Sequence, residues 1–153
     1  MAATNETLKM ARISNIEYSK ATDYATAAIK GFGLAYQDLT HINDVYSNLA
    51  AKTAADTGEI AIAMSKVASI AHSTGMELET TAAFLTQIIA TTREAPETAG
   101  TALKTVIARF AEVKKLISKG ELTGIDEEGT EIDVNKIETA LKTAGVALRD
   151  TTG

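Results

Sequence analysis

The chain holds two histidines, His41 and His72, and these are the first places to look for acid–base or metal chemistry. Neither belongs to an H-E-x-x-H pair, and the chain has no G-x-S-x-G nucleophile turn and no P-loop. A helical histidine set among Thr, Asn, Ser and Ala reads as a surface or half-buried filler, not a base. Gly31-Phe32-Gly33 is too sparse in glycine to cradle a phosphate, and it follows a helix instead of a strand, so it reads as a helix stop. There are no cysteines, which excludes thiolate nucleophiles, disulfides and cysteine zinc sites. The residues assign no catalytic, cofactor-binding or metal-ligating group, and the chain is expected not to be an enzyme.

Three further clusters invite chemistry. Asp126, Glu127, Glu128, Glu131 and Asp133 raise calcium, but a loop opened at Asp126 puts Glu131 at position six, where an EF-hand needs glycine. A solvated acidic hairpin tip accounts for them better. Ser65 through Met76, followed by a helix over 79–92, has the outline of a helix-turn-helix. Its second helix, from Glu79 through Gln87, carries no Lys or Arg to read bases or phosphates, so sequence-specific DNA binding is not expected. Arg109, Lys114, Lys115 and Lys119 form one basic patch near a helix C-terminus, where the dipole favours each cation by about 0.3–1 kcal/mol. Lys114, Lys115 and Lys119 stay open as contacts for an acidic partner. The net charge of −5 over 153 residues gives no general attraction to nucleic acid or anionic lipid. No signal peptide opens the chain, and Thr86, Gln87, Thr91, Thr92 and Arg93 interrupt the best candidate for a membrane span, so the chain reads as soluble.

The elements that would position these residues are helices. Apolar residues are 45% of the chain and aromatics only 5%, with a single proline, which suggests alanine-rich helices meeting along thin seams. Leu39, Ile42, Val45, Tyr46 and Leu49 form one amphipathic stripe. Ile60, Ala63, Met64, Val67, Ile70 and Ala71 form a second, and Phe84, Leu85, Ile88 and Ile89 a third. Ala99, Leu103, Val106, Phe110, Val113 and Ile117 step by four and three in alternation, a heptad-like seam. Asp56 or Thr57 caps a helix with Glu59 in its first turn. Gly75 suits a left-handed helix exit, and Pro96 opens the longest helix. The spacing predicts helices near 5–13, 19–31, 36–52, 57–73, 79–92 and 96–118.

Residues 16–29 also overlay residues 76–89 at a spacing of 60: an apolar entry residue, a short polar link, then a Thr/Ala-rich helix. Beyond residue 118 the character changes. Leu122 through Ile125 and Thr130 through Ile132 flank the acidic tip as a small hairpin. Val134, Ile137, Leu141 and Ala144 follow as a short helix stopped by Gly145, and Val146–Arg149 reads as a truncated strand. The expected architecture is all-α: a bundle of short antiparallel helices with one longer central helix over 1–118, and a hairpin-containing appendage over 119–153.

Thr74-Gly75-Met76-Glu77-Leu78-Glu79-Thr80-Thr81-Ala82-Ala83, then Gly100-Thr101-Ala102-Leu103-Lys104-Thr105 and Ala108-Arg109-Phe110, resembles the core module of phage (or prophage) tail tape measure proteins. Lys20 through Phe32 and Leu141 through Asp150 are similar to the family as well, so the resemblance spans nearly the whole chain. It marks Gly75, Thr80, Thr81, Gly100, Leu103, Lys104, Thr105 and Arg109 as motif residues, and the family offers no catalytic residue to transfer. Gly100 inside a helix costs about 0.8–1.0 kcal/mol relative to alanine, which is reasonable if another helix crosses there. The resemblance implies a structural piece of a longer parent that sets tail length and takes part in genome delivery. Implied partners are other tail proteins (tube, tip, assembly chaperones) and further copies of itself. The implied location is the virion tail, and the host bacterial cytoplasm during assembly. A helical adaptor or signalling module is the alternative, with a helix-turn-helix regulator third. The punctuated helices predict a compact assembly or docking domain instead of an extended ruler segment.

Overall fold

The computed structural model describes residues 2–120, 123–125, 129 and 131–143. The order is α1 (Ala2–Ile13), α2 (Tyr18–Phe32), a 3-10 turn (Tyr36–Asp38), α3 (Leu39–Ala50), α4 (Thr57–Ser73), α5 (Leu78–Thr92), α6 (Pro96–Lys119), β1 (Thr123–Ile125), β2 (Glu131–Asp133) and α7 (Val134–Thr143). Among the described residues the protein is all-α apart from the small hairpin. It divides into two compact units, Met1–Ile107 and Ala108–Gly153, with the division inside α6.

The helix ends follow from their residues. Asp56 Oδ1 accepts from the Glu59 N–H at 2.8 Å, and Glu59 Oε2 accepts from the Asp56 N–H at 2.9 Å. This reciprocal box satisfies two donors at the start of α4. At its end Gly75 has φ +83°, which lets the Met76 N–H turn back to the Ala71 carbonyl at 2.9 Å.

In the first unit the seams expected from the alanine content join into one continuous core. Met10, Leu39, Ile42, Tyr46, Ile60, Met64, Val67, Leu85 and Ile89 are the largest of its fully buried members. The reason is α4, which buries Ile60, Ala61, Ala63, Met64, Val67, Ala68 and Ala71 and so offers more than one face to its neighbours. Small side chains set the spacing: a Cβ added to Gly31 on α2 would lie 2.5 Å from the Ala68 Cβ on α4.

Two expected stripes need correction. On α6 Val106 and Phe110 are 49% and 45% exposed, whereas Ala99, Leu103 and Ile107 are buried. A heptad seam holds only where a helix supercoils along a partner. Here α6 comes closest to α4 where Gly100 faces the Ala63 backbone, and its residues buried in the first unit step by four, as on a straight helix. On α5 the buried face is Leu78, Thr81, Ala82, Leu85, Thr86 and Ile89, which turns Phe84 outward, 52% exposed.

In the second unit β1 and β2 pair antiparallel with Gly124 opposite Ile132. Val113, Leu116, Ile132 and Val134 form a small core with Ile117 and Ile137 against it. A Cβ on Gly124 would come within 2.7 Å of Leu116 Cδ2, so the strand lies directly on the α6 side chain. Asp133 Oδ1 accepts from the Asn135 and Lys136 N–H groups at 3.0 and 3.2 Å, capping α7. Leu122, Asp126–Glu128, Thr130, the Gly145 stop and the expected strand at 146–149 lie outside the described residues.

Candidate functional site

Several of the motif residues lie where helices pack. Gly100 is buried on α6, and a Cβ there would run into the Ala63 carbonyl oxygen on α4. The backbone of α4 thus occupies the space a side chain would need, as the cost of a helical glycine suggests. Leu103 is 8% exposed one turn further on. Gly75 makes the α4–α5 turn. Thr81 is fully buried, and its hydroxyl donates to the Glu77 carbonyl at 2.8 Å. Thr80 is exposed beside it, so the two threonines divide between packing and solvent.

Lys104 and Thr105 are exposed on α6, with the Thr105 hydroxyl donating to the Thr101 carbonyl at 3.0 Å. Arg109 is half-buried in the second unit. Lys114, Lys115 and Lys119 are exposed there, and Lys115 lies 3.6 Å from Glu112. The motif therefore brings Thr81, Gly100 and Leu103 into the core of the first unit and leaves Gly75, Thr80, Lys104 and Thr105 on its surface. It does not gather them into a pocket with convergent polar groups.

Three ties went unread in the sequence. Arg93 ends α5 in the left-handed region at φ +57°. Its Nη1 donates to the Ala54 carbonyl at 2.7 Å, fastening the α3–α4 loop. His41, solitary in the sequence, lies on α3 with Nε2 2.6 Å from Glu79 Oε1 on α5. That hydrogen bond, with a second from backbone, holds the Glu79 carboxyl below its usual range. Asn43 is fully buried, and its Nδ2 donates to the Glu6 carbonyl and to Glu6 Oε2 at 3.0 and 3.1 Å. Signals separated by 37 to 39 residues leave no mark in a local reading. His72 stands edge-on to Phe32, ring centres 6.1 Å apart, a packing contact.

The remaining chemistry is sparse. Among the described residues no group of three or more His, Asp or Glu could hold a metal ion, and no helix is long and apolar enough to cross a membrane. The outer face of α5 shows Glu79, Thr80, Ala83, Phe84 and Gln87, which offers no cation to a phosphate. What the arrangement can do is hold helices at fixed crossings and present a surface.

The sequence pattern of one protein family, described as phage-related minor tail protein, matches residues 1–153. A tape measure protein of Pneumococcus phage Dp-1 is 32% identical over 152 residues, 97% of this chain. The match spans about 13% of that relative's length. No solved structure matches.

Proposed function

The chain belongs to the family of phage-related minor tail proteins, and from that premise we propose that it is a structural, non-catalytic docking domain of a tail tape measure protein. Its work is tail assembly, and through the parent protein length determination and genome delivery. Its partners are the tube, the tip, the assembly chaperones and further copies of itself. It acts in the virion tail, and in the host bacterial cytoplasm while tails are built. The observation that carries this reading is the way the first unit folds back on itself. His41 reaches Glu79, Arg93 reaches Ala54, and Gly100 rests on Ala63. A segment that measures length must lie extended, whereas these contacts exist only in a folded body.

An in-frame deletion of residues 19–118 from the phage gene tests it, with tails measured by electron microscopy. Failed assembly, or tails of nearly normal length that infect poorly, is the expected result. Infectious tails shortened by about 150 Å, the length of 100 residues at about 1.5 Å each, would overturn it.

A further inference from the structure

The spacing of 60 residues that overlays 16–29 on 76–89 runs through the backbone of the first unit. Helices α1 and α4 end at Ile13 and Ser73, while α2 and α5 begin at Tyr18 and Leu78 and end at Phe32 and Thr92. The turns match bond for bond. Ile16 N–H reaches the Ala11 carbonyl at 3.1 Å, and Met76 N–H reaches the Ala71 carbonyl at 2.9 Å. The left-handed residue is Asn15 in one and Gly75 in the other. Glu17 and Glu77 are the extended residues before α2 and α5, and Gly33 and Arg93 the left-handed residues after them. Leu39 and Ala99, again 60 apart, are each 1% exposed on α3 and α6. The first unit thus repeats one helix–turn–helix, α1–α2 and α4–α5, each followed by a third helix, α3 and α6, that enters the core at the equivalent residue.

The copies abut: α2 packs on α4, and α3 packs on α4 and α5. The same spacing carries buried residues on those helices to positions no copy covers. Ala68 is 2% exposed and its counterpart Leu8 is 42%. Leu78 is 5% exposed and Tyr18 is 45%. Tyr46 is 1% exposed and Val106 is 49%. Tyr24 packs against the core, while Phe84 is 52% exposed. The uncovered apolar side chains thus fall at both ends of the repeat: Leu8 and Tyr18 on the α1–α2 face, Phe84 and Val106 on the α5–α6 face.

We propose that a second copy of this chain docks head to tail, its α1–α2 face laid on the α5–α6 face of the first in the manner of the internal junction. Where Gly31 meets Ala68 inside the chain, the new contact brings Thr91 to Leu8. The helices therefore stand further apart, held by larger side chains, and the association is weaker than the covalent junction. Because the two faces differ, the contact is heterologous, and each docked copy leaves a free face for the next. The inference rests on the repeat and not on the role in the tail, so the deletion experiment bears on it in no way.

Sedimentation velocity of the 153-residue chain from about 10 μM to about 1 mM, the range for a contact of modest free energy, tests it. The wild-type chain should form a series of species that grows with concentration. Tyr18→Glu and Phe84→Glu, each with wild-type helicity and melting, should be monomeric alone and form a one-to-one dimer that grows no further when mixed. Leu8→Glu and Val106→Glu provide a second pair with the same expectation. A wild-type chain that stays monomeric, a dimer indifferent to these substitutions, or variants that stay monomeric when mixed would overturn the proposal.

Discussion

The two copies follow one path through their first two helices with different residues. Asn15 and Gly75 take the same left-handed turn, and Gly33 and Arg93 the same helix exit. Packing diverges instead. Buried Ala25 on α2 becomes Leu85 on α5, and buried polar Asn43 on α3 becomes Leu103 on α6. The hydrogen-bonded turns fix where the chain goes, and the residues between them adapt to whatever each copy lies against. The α2 helix keeps a glycine, Gly31, where it crosses the Ala68 side chain of α4, and the equivalent position on α5 is Thr91.

The sharpest way to break this comparison is at Asn43 and Leu103. Leu103→Asp puts an unpaired charge into the core and should cost about 3–5 kcal/mol, against a total of about 5–15. Asn43→Leu should stay within about 1.5 kcal/mol, since it removes the two Glu6 bonds but also a buried amide oxygen with no partner among the described residues. Urea denaturation measures both, and equal losses would mean that the two copies obey one packing rule after all. Gly100→Ala comes next. Relief of the helical glycine, about 0.8–1.0 kcal/mol, is outweighed by overpacking against the Ala63 backbone, about 1–3 kcal/mol. A net loss of melting temperature is expected, whereas Thr40→Ala, at the exposed equivalent position, should change stability by no more than about 0.5 kcal/mol. A stabilised Gly100→Ala variant would show that the crossing can open.

Caps sharpen the comparison more gently. Asp56→Ala should cost about 1 kcal/mol in urea denaturation. Glu17→Ala and Glu77→Ala should change little, because neither side chain makes a cap bond. The smallest effect is at the His41–Glu79 pair, which the repeat turns into Thr101 and Ser19. The folded Glu79 pKa lies below its unfolded value, so its contribution is present above the ordinary carboxylate range near about 4.3 and is lost as pH falls through the folded pKa. Both side chains are more than half exposed, which limits the pair to a few tenths of a kcal/mol. The stability difference between wild type and Glu79→Gln should therefore be small at neutral pH and disappear in acid; a difference that grew on acidification would reverse the assigned sign.

Elements governed by neighbours in sequence were legible. The span 57–73 reads directly from Asp56, Glu59 and Gly75, and Gly100 announces its crossing by standing where a helix would prefer alanine. The repeat was visible over 16–29 and 76–89, where the entry residues and the Thr/Ala helices match in type. Its extension to α1 and α4 was hidden because Leu8 faces solvent where Ala68 is buried. The α6 seam misled because alternating steps of four and three do not say whether a partner lies lengthwise or crosses once. Arg93 was illegible for another reason: nothing in an arginine's type marks a left-handed exit.

The buried tyrosine of α3 also makes the fold visible to light. The chain has four tyrosines and no tryptophan. Tyr46 is sealed in the core, its hydroxyl without a partner among the described residues, and burial pushes its phenol well above the ordinary range. Tyr18 and Tyr36 are exposed. Under alkaline titration Tyr46 should ionise only as the core opens, so the absorbance change of its phenolate would time the unfolding of the first unit without any added dye.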